Sequence, residues 1–252
     1  MKVTLVQYDI AWESVDVNIR RVREMVNAID TDMIVLPEMW ATGFSMTPSL
    51  TAEKEASSRG LLFMKALSTE KRCAVCGSLA IQDTDGTYRN RFYFVTPESV
   101  IFYDKRHLFT HGQENLYYTC GNQAVIVRYQ GLRFLLQTCY DLRFPVFSRY
   151  GRTGEYDAII YVANWPQSRR QAWDILTRAR AIENQSFVIA VNRTGSDPKC
   201  TYDGGSIVAD PKGSLLCQLS SSDTVAHVEL DLELLVRMRS RFKVLADRDT
   251  IL

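Results

Sequence analysis

The chain has 252 residues, 46% hydrophobic and 23% charged, the balance of a protein built on one large core, and it is expected to form one domain over residues 1–252. Its 30 basic and 29 acidic side chains leave a formal charge of +1, which gives no electrostatic reason to expect nucleic acid or an anionic membrane and favours a small neutral or singly charged ligand. No signal-peptide pattern opens the chain and no apolar run approaches the roughly 20 residues that span a bilayer, so a cytoplasmic protein is expected. Scattered cysteines at 73, 76, 120, 139, 200 and 217 read as core residues plus one reactive thiol, not as a disulfide framework.

In chain order, 3–6 reads as a strand, and 15–29 as a one-faced helix with Val15, Ile19, Val22, Val26 and Ile29 at three- and four-residue spacing. Met33 to Leu36 is short and uniformly apolar, a buried strand that Pro37 closes at Glu38. A helix over 61–67 and a strand over 74–81 follow, and Asp85-Gly86 turns that strand back into one over 88–95. After a strand at 100–103, Lys105 to Asn122 is polar, aromatic and aperiodic, and so long a stretch without periodicity usually serves a site. Strands are expected at 125–129, 134–138, 158–162 and 187–191, with a helix over 169–184. A hairpin of 206–209 with 215–219, a strand at 226–230 and a short helix to about Ser240 complete the order. Strands and helices mixed in this way define a layered α/β domain with hairpins in its sheets.

Three segments carry chemistry, and in each an apolar strand stops at a reactive side chain. Phe134 to Thr138 stops at Cys139, and the following residues suit a helix start; a nucleophile on so sharp a turn is exposed, the next backbone N–H can serve an oxyanion, and a helix amino terminus favours the thiolate. Leu36-Pro37 leads to Glu38, a carboxylate that Trp40 and Phe44 would desolvate into a general base. Tyr103-Asp104 leads to Lys105. Singly, each has an ordinary reading as a buried cysteine or a solvated charge. Together they meet the needs of amide hydrolysis: a strong nucleophile, a cation for the oxyanion, and an acid to protonate departing ammonia, with no metal or organic cofactor required.

Rival readings are weaker. Cys73 and Cys76 lie three apart in a strand, where side chains point to opposite faces and cannot converge on one metal. His107, His111 or His227 could form a Cys-His dyad, with His107 then essential. No Gly-x-Ser-x-Gly follows a strand, and Gly204-Gly205 reads as a turn or bulge.

The ordered set Glu38, Lys105 and Cys139, with Ala163-Asn-Trp-Pro166, Arg178-Ala-Arg-Ala-Ile-Glu-Asn184 and Val191-Asn-Arg-Thr-Gly195, resembles the nitrilase superfamily over almost the whole chain. Lys105-Arg-His-Leu-Phe109 and Cys139-Tyr-Asp-Leu-Arg-Phe-Pro145 look most like its omega-amidase branch, whose members cleave the terminal amide of 2-oxo acid amides such as 2-oxoglutaramate and 2-oxosuccinamate. The resemblance implies a four-layer α-β-β-α sandwich and a homodimer. It implies Cys139 as nucleophile, Glu38 as general base and acid, Lys105 with the Tyr140 N–H as oxyanion donors, and Glu114 as the residue that orients the lysine and the substrate. Arg143 and Trp165 are candidates for the far carboxylate of such a substrate, against the plainer readings that Arg143 pairs with Asp141 and Trp165 fills the core. The alternatives are an amidase or carbamoylase of the same superfamily acting on another small amide and, from a different class, a non-catalytic binding protein on the same fold.

Overall fold

Strands as uniformly apolar as 33–35 and 158–163 must be covered on both faces, and in the computed structural model, which describes residues 1–249, they are. The chain runs β1 (Lys2–Gln7), α1 (Val15–Val26), β2 (Met33–Val35), α2 (Pro48–Thr51), β3 (Glu53–Lys54), α3 (Arg59–Lys71), β4 (Ala74–Gln82), β5 (Tyr88–Val95), β6 (Val100–Asp104) and α4 (Glu114–Tyr117). It continues with β7 (Ile126–Tyr129), β8 (Leu132–Thr138), α5 (Pro145–Ser148), β9 (Ala158–Ala163), α6 (Arg170–Asn184) and β10 (Phe187–Asn192). The last elements are β11 (Thr194–Ser196), β12 (Thr201–Asp203), β13 (Ile207–Ala209), β14 (Leu215–Gln218), β15 (Thr224–Glu229) and α7 (Leu232–Arg241).

One sheet has the order β15-β1-β2-β4-β5-β6, with β3 also beside β4; the other has the order β14-β13-β10-β9-β8-β7. In each, a parallel centre (β1-β2-β4 and β8-β9-β10) is extended by antiparallel strands. Alternate residues of both sheets meet in a shared inner core, where Val3, Leu5, Val35, Phe92 and Phe94 pack with Phe134, Leu136, Ile160, Val162 and Ile189. The opposite side chains of the first sheet lie under α1 and α3, and those of the second lie under α6. The result is the expected α-β-β-α layering. Among the described residues, no helix is long and apolar enough to cross a membrane.

The departures from the sequence reading have local causes. Helix α1 stops at Val26, although Ile29 still packs beneath it through a final turn onto the Val26 carbonyl. Helix α3 starts earlier than expected because Ser58 caps it by accepting the Leu61 N–H, and it ends where Arg72 turns left-handed. The β11–β12 ribbon, β3, α2 and α5 are two to four residues each, too short to show a period. Gly204 and Gly205 form a turn with φ of +68° and +75°, and a side chain there would collide with Gln7 and Arg170.

Candidate active site

The site lies on the seam between the sheets. Glu38 follows β2 and Lys105 follows β6 in one sheet, whereas Cys139 follows β8 and Asn164 follows β9 in the other. Met39 and Cys139 both adopt positive φ, +43° and +45°, a conformation that costs a non-glycine residue of order 1–3 kcal/mol and persists only where surrounding contacts enforce it. At Met39 the enforcing contact is Ser78, whose hydroxyl accepts the Met39 N–H at 2.8 Å.

Three ionisable side chains meet in complete burial. Lys105 Nζ donates to Glu38 Oε1 at 2.8 Å and to Glu114 Oε2 at 2.9 Å, with both carboxylates at 0% exposure. Burial alone would lower the Lys105 ammonium, but Glu114 and Glu38 outweigh it and hold the lysine charged above its ordinary range. Burial raises the Glu114 carboxyl, against the pull of Lys105, and Glu114 Oε2 also accepts the Phe109 N–H at 2.6 Å. Asn90, which carries no mark in the sequence, donates from Nδ2 to Glu38 Oε1 at 2.8 Å and to Glu114 Oε1 at 3.0 Å. The remaining oxygen, Glu38 Oε2, accepts the Asn164 N–H at 2.9 Å.

Cys139 adjoins this group, with its Sγ 3.8 Å from the Asn164 carbonyl and its surroundings set by Glu38 and Lys105. The expectation that a helix amino terminus would favour the thiolate does not hold. The cysteine opens a 3₁₀ turn, Cys139–Arg143, and only the four residues of α5 come after it, too little for a macrodipole. Burial, reinforced by Glu38, pushes the thiol well above its ordinary value, and Lys105 opposes this only in part.

The turn itself is held by Asp141, which is fully buried and accepts the Thr138 N–H (2.9 Å), the Tyr103 hydroxyl (2.7 Å) and the His107 N–H (3.0 Å), with His107 Nδ1 at 2.8 Å. The Cys139 turn is thereby tied to the residues just after Lys105. His107 also stacks on Phe144 at 3.9 Å, while His227 bonds Thr4 and His111 packs on Phe109. None of the three is built into a dyad with Cys139. Cys73 and Cys76 fall in different core clusters on opposite faces of the first sheet, and among the described residues no three His, Cys, Asp or Glu side chains are grouped as a metal site.

A cavity of about 320 Å³ opens onto Cys139 between Phe44, Phe109, Tyr140, Trp165 and the β11–β12 ribbon. Phe44 walls the site as expected, with Lys105 Nζ 5.2 Å from its ring. Trp40 does not: the strained turn at Met39 sends it outward to pack on Phe63 under the helices. Arg143 lines the cavity with its guanidinium 5.0 Å from the Trp165 ring, and it forms no ion pair with Asp141, whose oxygens are taken by other donors. Trp165 is almost fully buried, and its indole N–H donates to the Arg169 carbonyl at 2.8 Å. Arg169, which in the sequence reads only as a helix start, also lines the cavity, its guanidinium 5.0 Å from the Phe109 ring. Among the described residues, neither arginine has a carboxylate partner.

The chain matches the carbon-nitrogen hydrolase family over residues 2–240 and belongs to it, in the nitrilase superfamily; it is a hydrolase acting on amides. It is 40% identical to the omega-amidase YafV of Escherichia coli K12 over 99% of this chain and 97% of that one. It is 30% identical to the 2-oxoglutaramate amidase of Bacillus subtilis over 97% and 96%. The crystal structure of XC1258 from Xanthomonas campestris, a CN-hydrolase superfamily protein with an arsenic adduct in its active site, superposes with a TM-score of 0.96 at 33% identity over 100% and 98% of the two chains.

Proposed function

We propose that the chain hydrolyses the terminal amide of a short 2-oxo dicarboxylic acid monoamide, such as 2-oxoglutaramate or 2-oxosuccinamate, to the 2-oxo acid and ammonia. The observation that carries this reading is the buried Lys105 held between Glu38 and Glu114 beside the Cys139 thiol. Glu38 takes the thiol proton as Sγ attacks the amide carbon. Lys105 and the Tyr140 N–H stabilise the oxygen of the tetrahedral adduct, and Glu114 fixes the lysine. Glu38 returns the proton to the nitrogen, ammonia departs and a thioester remains on Cys139. Glu38 then removes a proton from water, which attacks the thioester, and the thiol is re-formed as the acid leaves.

The two arginines without carboxylate partners support an anionic substrate, since a guanidinium in a largely apolar cavity seeks a charged acceptor. The names of the relatives support the same class. Arg143→Met is expected to raise KM for 2-oxoglutaramate at least about tenfold, the scale of a charge-assisted hydrogen bond, while sparing turnover of a neutral amide of similar length. Equal loss on both substrates would assign Arg143 to the turn's structure, and preference for the neutral amide in the unaltered enzyme would move it to another amidase or carbamoylase branch.

A further inference from the structure

Asn90, the third residue of β5, touches both carboxylates of the proposed acid–base machinery and the backbone of its lysine. Its Nδ2 donates to Glu38 and Glu114, and its backbone carbonyl accepts the Lys105 N–H at 2.9 Å. The orientation of the amide is fixed from behind: the Ser78 hydroxyl, which accepts the Met39 N–H, donates to Asn90 Oδ1 at 2.8 Å. The nitrogen must therefore face the carboxylates. Around Glu38 the other charged or titratable groups are Lys105 at the end of β6, Glu114 and Tyr118 of α4 and its exit, and Cys139 on the opposite sheet.

We propose that Asn90 is a positioning residue for the reaction: by donating to both carboxylates at once, it fixes Glu38 with Oε1 engaged and Oε2 turned to take the Cys139 proton. Glu38 Oε1 is already occupied by Lys105 and Asn90, whereas Oε2 has only the Asn164 N–H. Two buried carboxylates sharing one lysine repel each other, and a neutral double donor between them offsets that repulsion without adding a second cation that would compete for the oxyanion. The inference rests on the reading of Glu38 as general base.

The test follows alkylation of Cys139 by iodoacetamide, read by mass spectrometry of its peptide across the pH range, together with turnover of 2-oxoglutaramate. Asn90→Asp keeps the shape and removes both donors. The acid limb of the alkylation profile is expected to move up by about one pH unit or more, with kcat at least about tenfold lower and KM within about threefold. Asn90→Ala, which removes the same donors without adding a carboxylate, is expected to move the limb in the same direction by less, and it decides the matter if Asn90→Asp does not fold. A limb unmoved in the folded variants, whatever happens to kcat, overturns the proposal and leaves Asn90 a packing residue. Glu38→Gln, measured alongside, separates the two readings: a limb that it leaves unmoved removes Glu38 as the base, whereas a limb displaced with Glu38 but indifferent to Asn90 sinks only the positioning role.

Discussion

Cys139 is a poor thiolate by environment, because burial and the Glu38 charge together hold its proton on. On the proposed mechanism, its reactivity comes from proton transfer within the site. Glu38→Gln and Lys105→Met are each expected to lower kcat at least about a hundredfold, the scale of losing an acid–base or oxyanion group, and Cys139→Ala to abolish turnover with the fold intact. Neutral substitution of an ordinary surface charge changes stability by less than about 0.5 kcal/mol and leaves chemistry alone, so ammonia release with a thermal melt for each variant separates the cases. Glu38, Lys105 and Cys139 are legible in the sequence because each stands where an apolar strand stops. Asn90 is not, since a polar residue inside a strand alternation reads as one more outward side chain. Arg169 is hidden for a similar reason, as it occupies a position that any helix start could fill.

The turn from Cys139 to Arg143 keeps its strained first residue because Asp141 gathers donors from β6, β8 and the segment after Lys105. Asp141→Asn turns one acceptor into a donor facing other donors, and a buried polar group left unmatched costs about 1–3 kcal/mol. The melting temperature should fall by roughly 2–10 °C for a chain of this length, with kcat falling more steeply than stability because Cys139, the proposed nucleophile, is displaced. His107→Ala removes one contact among several and should do less on both measures; a Cys-His dyad would require the reverse. The elbow itself is legible as a strand meeting a turn. Its 3₁₀ geometry is not, because it depends on Tyr103 and His107, more than thirty residues upstream of Asp141.

Across the whole molecule, burial raises Tyr8, Tyr93, Tyr103, Tyr118, Tyr156, Tyr161 and Tyr202 above the ordinary phenol value of 10.0, and the Glu114 and Glu38 carboxylates raise Lys105 above 10.5. Above about pH 10 the unfolded chain binds fewer protons than the folded one, so stability held below that pH is lost as it rises. The melting temperature should drop steeply beyond about pH 10, and the tyrosinate absorbance of these seven buried tyrosines should appear together with unfolding. Ionisation of all twelve tyrosines near the ordinary value in the folded protein would contradict this burial. The layered architecture is legible from the order and polarity of the strands. Which faces meet is not, because strands apolar on both sides carry no mark of inside and outside.

The position of the site on the seam has a consequence for how activity depends on the fold. Glu38 and Lys105 belong to one sheet and Cys139 to the other, so on the proposed mechanism neither half holds a working fragment of the chemistry. The inner layer of Phe94, Phe134, Leu136 and Ile160 sets the registry between them. On the proposed mechanism, hydrolysis is thus a coincidence detector for sheet docking: the chain has no chemistry to perform on an amide until the two sheets have closed on each other.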